Sequence, residues 1–481
     1  MRRAAVLCAA ALTGCVVGPN YRTPEPFPGS PLALRETTPA EAAASLPERW
    51  WRLFDDAALD RLVEQALAHN TDVRIAAANL QRARAALSEA RAARLPTDQA
   101  SAGYSRERVS PSGSGVTPSG ALAVPIDTDF FAAGFDAAYE VDLFGGVTRS
   151  IEAARADYQS AQAQADAARV SVAAETARDY AAACGFAAQV ATARETTQLQ
   201  AQTLDLTEQT FQRGRGTERD IDEAQVLVEQ ARAQVSTFEA ERRAALYALA
   251  VLTGDPPEAV DDAADKCAAP PTVRQPIPVG DGRALLARRP DVRAAERALA
   301  GDVARIGVAT AQLYPTVTLA GAVNLGAPKI GDLGKSQSLT YSAGPLITWT
   351  FPLNGAVRAR VKESRASAQA SLAAFDGTVL RALQETEQAL ARLHGAAERE
   401  AALDRAAAAA SRAADISGVR FRDGSDNFLQ LLVAERDRAD ARAALAQAQA
   451  DRAAAQVSLF KALGGGWEEA PVVASASLPT R

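Results

Sequence analysis

The residue with the most definite chemistry stands near the start of the chain. Cys15 closes the tetrapeptide Leu12-Thr13-Gly14-Cys15, which follows a short cationic start, Met1-Arg2-Arg3, and an apolar run from Ala4 to Leu12. A run of that length is too short to span a bilayer and reads as a bacterial secretory signal. Leu, two small residues and Cys is also the pattern of a lipoprotein signal, in which the sulfur takes a diacylglyceryl group, the chain is cut before the cysteine, and the freed amine is acylated. Residues 1–14 are therefore expected to be removed and Cys15 to carry lipid. Each buried CH₂ adds roughly 0.8 kcal/mol, so several acyl chains anchor a protein firmly. Val16 rather than an Asp follows the cysteine, which favours sorting to the outer membrane.

The remaining chemistry-bearing residues offer little. His69 and His394 have no Cys, His or carboxylate at ligand spacing, so no metal or cofactor is expected. Gly334-Lys335-Ser336 ends like a phosphate loop, but Lys329 stands where its first glycine belongs and no helix is expected to follow. No nucleophile elbow, CxxC or catalytic carboxylate pair is present, and an enzyme is the poorest reading. Cys184 and Cys267 could pair in an oxidising compartment, yet they are far apart in sequence, and two separate thiols are expected. A formal charge of −6 argues against nucleic acid as a partner.

The elements that would position these residues are unusual. The 481 residues would ordinarily make about three domains. However, much of the 48% hydrophobic content is alanine, which with Arg, Glu, Gln, Asp and Leu is the mixture of long, closely packed helices. No apolar run is long enough for a transmembrane helix, so a membrane would have to be crossed by strands. The chain is also written twice. Asn70-Thr71-Asp72-Val73-Arg74 matches Arg289-Pro290-Asp291-Val292-Arg293, Phe211 with Gly214 matches Phe421 with Gly424, and Leu252-Thr253-Gly254 matches Ala462-Leu463-Gly464. The offset shifts once, and the Pro/Gly/Ser-rich Ser110 to Pro125 is the candidate insertion. The expected organisation is a signal at 1–14, an extended anchored segment at 15–55, a first repeat at 56–254, an irregular segment at 255–283, a second repeat at 284–466 and a tail at 467–481.

Each repeat reads as helix, strand, loop, strand, long helix, tight turn, helix. The first helices are expected over Asp72 to Arg94 and Asp291 to Gln312, stopped by Pro96 and Pro315. In Asp129 to Phe144, Phe131, Phe135, Tyr139 and Val141 alternate with Asp136, Glu140 and Asp142, which become candidates for a polar lumen. Thr316 to Leu325 and Leu339 to Phe351 alternate likewise, whereas Ser101 to Val109 does so poorly. Such segments fit either a membrane barrel with a wet interior or a soluble sandwich. The neighbouring helices favour the barrel. Stretches free of proline run from Val147 to Gln212 and from Val357 to Arg422. Each is ~100 Å of helix, thicker than any globular core. Both end in turns with a glycine, Gly214 or Gly424, and small knobs such as Ala154, Ala161 and Ala165 suit helices packed in a cylinder wall.

Cys15-Val16-Val17-Gly18-Pro19-Asn20-Tyr21, Trp50-Trp51-Arg52-Leu53-Phe54-Asp55-Asp56 and the stretch from Leu285 to Leu319 together resemble the TolC-type outer-membrane efflux lipoproteins, in their OprM-like or NodT-like branch. The resemblance covers about Cys15 to Trp467. It implies a homotrimer, with four strands per protomer in a twelve-stranded β-barrel and a duplicated set of long helices in a periplasmic α-barrel. It also implies a periplasmic adaptor and an inner-membrane RND-type transporter as partners, with passive export of drugs or other small toxic compounds. In that family acidic and bulky residues narrow the tunnel near the two turns. Asp426 and Leu429 match the second-turn motif, Val433 stands where an Asp is often found, with Glu435 two positions on, and Asp220 and Asp222 are the first-turn candidates. The alternatives are the channel of a type I protein secretion or heavy-metal efflux system and, less well supported, a periplasmic adaptor or a non-conducting coiled-coil protein.

Overall fold

The computed structural model describes residues 16–26, 32, 34–38, 41, 47–109, 126–351, 353 and 355–465. The signal, Cys15, residues 110–125 and the tail from 466 lie outside the described residues. In chain order the elements are a 3₁₀ turn at Trp50–Phe54, α1 (Ala57–His69), α2 (Thr71–Ala92), β1 (Thr97–Val109), β2 (Ile126–Val141), α3 (Gly146–Gln212) and α4 (Glu218–Thr253). Then come α5 (Asp262–Asp265), α6 (Gly282–Arg288), α7 (Pro290–Ala311), β3 (Thr316–Ala327), β4 (Leu339–Thr348), α8 (Ala356–Arg422) and α9 (Phe428–Leu463). Both long helices have 67 residues and both returning helices 36, so the second copy lies 210 residues after the first. The expected opening helices are found intact as α2 and α7, and in each copy a further helix precedes them: α1 ends before Asn70 and α6 before Arg289, with α2 and α7 starting at the next residue.

The chain divides into two compact units. The first contains residues 1–24, 81–160 and 296–374 and holds an antiparallel sheet of order β1-β2-β3-β4. Its register places Tyr104 beside Phe131, Phe135 beside Val323, and Val323 beside Tyr341 on one face. On the other face Asp136 lies between Gln99 and Ala322, and Asn324 between Gly134 and Thr340. The apolar face is bare: Phe135, Tyr341 and Ile347 are 51%, 82% and 66% exposed. From Phe131 to Val141 it runs roughly 33 Å along the strand, which at the usual barrel tilt is about 25 Å of membrane thickness. The poor alternation around Ser101 to Val109 now has a cause. Ala100, Ala102 and Tyr104 occupy the apolar face of β1, and Asp98, Arg106 and Arg108 bracket them on that same face.

The arm from Val16 is docked in the same unit. Arg149, only 4% exposed, donates to the carbonyls of Val17 and Gly18 at 3.2 and 3.4 Å and to Oδ1 of Asn20 at 2.7 Å. Gly18 has φ +91°, and a Cβ there would come within 2.5 Å of Gly307 Cα. Tyr21 donates its hydroxyl to Glu296.

The second unit contains residues 25–80, 161–295 and 375–481. Its core is stacked around Trp50 and Phe460, ring centroids 4.6 Å apart, with Leu59, Leu62, Leu285, Leu390 and Leu459 fully buried beside them. The duplication is visible in its hydrogen bonds. Asn70 Nδ2 donates to the Leu252 carbonyl at 3.0 Å, and Arg289 Nη1 donates to the Ala462 carbonyl at 2.8 Å, the same place in the second copy. One expectation is overturned here, since Cys184 and Cys267 form a disulfide. The irregular segment between the repeats folds back with Val273, Ile277 and Val279 buried in the core, which brings the two Cα atoms to 5.2 Å despite 83 residues of separation. At the equivalent position of α8, His394 Nε2 lies 3.2 Å from Glu41 Oε1 and ties down the segment before Trp50. The two tethered segments meet where Val279 N donates to the Glu41 carbonyl at 2.8 Å.

Candidate functional site

The two turns that end the long helices are built alike. Gly214 and Gly424 have φ +68° and +74°, and a Cβ at either would meet nothing within 4 Å, so the left-handed backbone and not space demands glycine. Arg215 N reaches back to the Thr210 carbonyl at 3.0 Å and Ser425 N to the Arg420 carbonyl at 2.8 Å. Capping boxes then start the returning helices, Thr217 with Asp220 and Asn427 with Gln430.

These boxes decide what the turn carboxylates can do. Asp220 accepts from Thr217 N at 2.8 Å and is committed to the cap, whereas Asp222 is exposed. On the second turn Asp426 accepts from Arg420 Nε at 2.7 Å and Ser417 Oγ at 3.2 Å, which leaves its side chain 9% exposed. Leu429, in the first turn of α9, is 62% exposed. Glu435 is placed differently from the expectation of an acid facing a pore: it is buried at 5% exposure against Arg438 of its own helix. Burial pushes its carboxyl above the usual glutamate range, and Arg438 pulls it part of the way back.

The guanidinium groups that organise this region were missed in the sequence. Arg438 Nη1 reaches Asp415 of α8 at 3.2 Å, and Arg442 Nη1 reaches Glu195 of α3 at 2.6 Å. The first bridge braces α9 against α8, and the second joins the two helical hairpins. The repeat offset held a signal for the first. Arg438 stands where the first copy has Val228, 1% exposed, and Glu435 where it has Gln225. An ion pair at an apolar repeat position is an informative mismatch.

Of the candidate lumen acids, Asp136 and Glu140 lie on the polar face of β2 and are exposed. Asp142 lies beyond the strand, where its oxygens accept from Val147 N at 3.1 Å and Thr148 N at 2.7 Å. It serves the N-terminus of α3, where a carboxylate meets the positive end of the helix dipole. Among the described residues no group of three or more His, Cys, Asp or Glu is arranged to hold a metal, and no helix is long and apolar enough to cross a membrane.

Comparison with known proteins agrees with this arrangement. The outer membrane efflux protein family matches residues 62–255 and 282–465. The outer membrane protein OprJ of Pseudomonas aeruginosa is 31% identical over 479 residues, covering 97% of this chain and 96% of that protein. Nodulation protein T of Rhizobium leguminosarum bv. viciae is 30% identical over 98% of this chain and 95% of its own length. The solved structure of the outer-membrane channel OprN superposes with a TM-score of 0.87 at 34% identity, covering 94% of this chain and all of that one. Since the family spans both repeats, the chain belongs to the outer membrane efflux proteins, with its strands in the outer membrane and its long helices on the periplasmic side.

Proposed function

We propose that three copies of this chain form a passive conduit through which a partner pump expels drugs or other small toxic compounds. The observation that carries this reading is the four-stranded sheet. One face is bare and apolar, the other is polar, and among the described residues β1 and β4 leave both outer edges unpaired. Open edges of that length require partners, and pairing β4 of one copy with β1 of the next closes a barrel of twelve strands. Asp136 and Glu140 would then give the lumen a preference for cationic and neutral cargo. The adaptor would meet the periplasmic turns, and an inner-membrane RND-type transporter would supply the energy.

In this reading the second hairpin moves as a stiff lever. Arg420 with Asp426, and Arg438 with Glu435 and Asp415, hold α9 to α8, while Arg442 with Glu195 holds the lever against α3. Opening breaks the bridge between hairpins and carries Leu429 away from the passage, with Asp222 lining the first hairpin. Cys15 takes the lipid, and the docked arm from Val16 fixes where that lipid sits.

Two measurements on the full-length protein test the conduit. Its native mass should correspond to three chains, with acyl mass on the N-terminal peptide. Cells lacking it should accumulate a cationic dye several-fold above complemented cells. A monomeric mass together with unchanged accumulation would contradict the reading.

A further inference from the structure

Where the bare apolar face of the sheet ends, its chemistry changes abruptly. Helices α2 and α3 join β1 and β2 at their periplasmic end, so the opposite strand ends, toward residues 110–125, are the external ones. On the outward face there, immediately past the Tyr104 and Phe131 rings whose centroids are 5.0 Å apart, stand Arg106 and Arg108 on β1 and Asp127 and Asp129 on β2. The register pairs Arg106 with Asp129 and Arg108 with Asp127.

The ion pairs are loose. Arg106 lies 3.8 Å from each of Asp127 and Asp129, and Arg108 lies 3.9 Å from Asp127, distances beyond a good hydrogen bond. The two guanidinium side chains are 62% and 70% exposed. Asp129 is also held by the Tyr104 hydroxyl at 2.9 Å, which spends part of its accepting capacity within the sheet. Two guanidinium groups and two carboxylates thus form a rim just outside the apolar band, on the apolar face of the sheet and not on its polar face.

We infer that this rim binds the phosphate groups of the outer-leaflet glycolipid. Arg106 and Arg108, two residues apart on one strand, present two planar forks along the lipid-facing surface, a geometry suited to phosphate oxygens. Tyr104 and Phe131 sit at the depth where acyl chains give way to headgroups. Asp127 and Asp129 hold the guanidinium groups upright without saturating their donors. The inference uses the outer-membrane location and is independent of any gate at the periplasmic turns.

The test is lipid binding to the detergent-purified full-length protein, read by native mass spectrometry and by thermal stability. The probes are bis-phosphorylated lipid A, the same glycolipid without phosphates, and inorganic phosphate. The phosphorylated lipid should bind roughly 30-fold more tightly than the dephosphorylated one, about five- to six-fold for each basic residue near an anionic surface. R106S/R108S should lose that preference, and R106K/R108K should keep most of it. If the double serine variant does not assemble, Arg108→Ser alone should lose about five-fold. Equal preference in the wild type and the serine variant would overturn the inference, as would stabilisation by inorganic phosphate equal to that by the phosphorylated lipid.

Discussion

The two helical hairpins have the same lengths, the same glycine turns and the same kind of cap, yet the equivalent buried position nearer the turn is apolar in one and ionic in the other. In the first, Val228 fills the buried position, Asp220 is spent on the cap, Arg232 pairs with Glu229 on its own helix, and the ion pair between the two helices, Arg194 with Glu239, lies farther from the turn. In the second, Arg438 occupies the buried position with Glu435, Asp426 is held by Arg420, and Arg442, the equivalent of Arg232, reaches across to Glu195. Apolar contact is insensitive to partners and pH, whereas guanidinium–carboxylate contacts can be broken one at a time and rearranged. The two copies are equal in length, and the second carries the buried ion pair that the first lacks.

The comparison extends to the tethers on the long helices, where the largest effect is expected. Cys184 and His394 occupy equivalent positions, one fastening the segment between the repeats by a disulfide and the other the N-terminal segment through Glu41. C184S/C267S should lower stability by about 2–4 kcal/mol, because a long loop is released in the unfolded chain. His394→Ala should cost only about 1 kcal/mol. Denaturant midpoints of the two variants compare the tethers directly.

The next effect concerns the buried pair. Arg438→Val alone leaves Glu435 buried beside an apolar side chain and should cost roughly 3 kcal/mol. E435Q/R438V, which copies Gln225 and Val228 of the first hairpin, should recover most of that loss. If the double variant is no more stable than the single one, the two hairpins are not interchangeable at this position.

A smaller, pH-dependent effect follows from Glu435 itself. Its folded pKa is raised above its unfolded value, so the folded state holds the proton more tightly. The corresponding stabilisation is complete below about 4.5 and is lost as pH rises through the raised value. Wild type should therefore lose stability relative to Glu435→Gln across that window, and parallel pH profiles would contradict the assignment.

Much of the scaffold was legible in the sequence because its signals are local. The Arg213-Gly214-Arg215-Gly216-Thr217 and Asp423-Gly424-Ser425-Asp426-Asn427 turns marked the ends of both long helices, and alternation around Phe131 to Val141 marked a strand with two unlike faces. What stayed hidden depends on partners distant in sequence. Nothing near Cys184 announces Cys267, and Glu435 reads as an exposed helical acid until Arg438 is seen to share its burial. Asp142 continued the alternation of β2 but lies where the chain has already turned to begin α3. The helix α1 ahead of the expected α2 was not foreseen, and the bond from Asn70 to the distant Leu252 carbonyl marks the junction between them.

The most direct test of the proposed switching arm is single-channel conductance of the purified full-length protein in planar bilayers, comparing wild type with E195A/R442A. An exposed bridge of this kind contributes about 0.5 kcal/mol, and three copies in a trimer about 1.5 kcal/mol, so the open fraction should rise roughly ten-fold in the variant. Arg232→Ala in the first hairpin, whose partner is on its own helix, should leave it unchanged. Equal open fractions in wild type and E195A/R442A, or an equal rise with Arg232→Ala, would contradict a gate carried by the second hairpin.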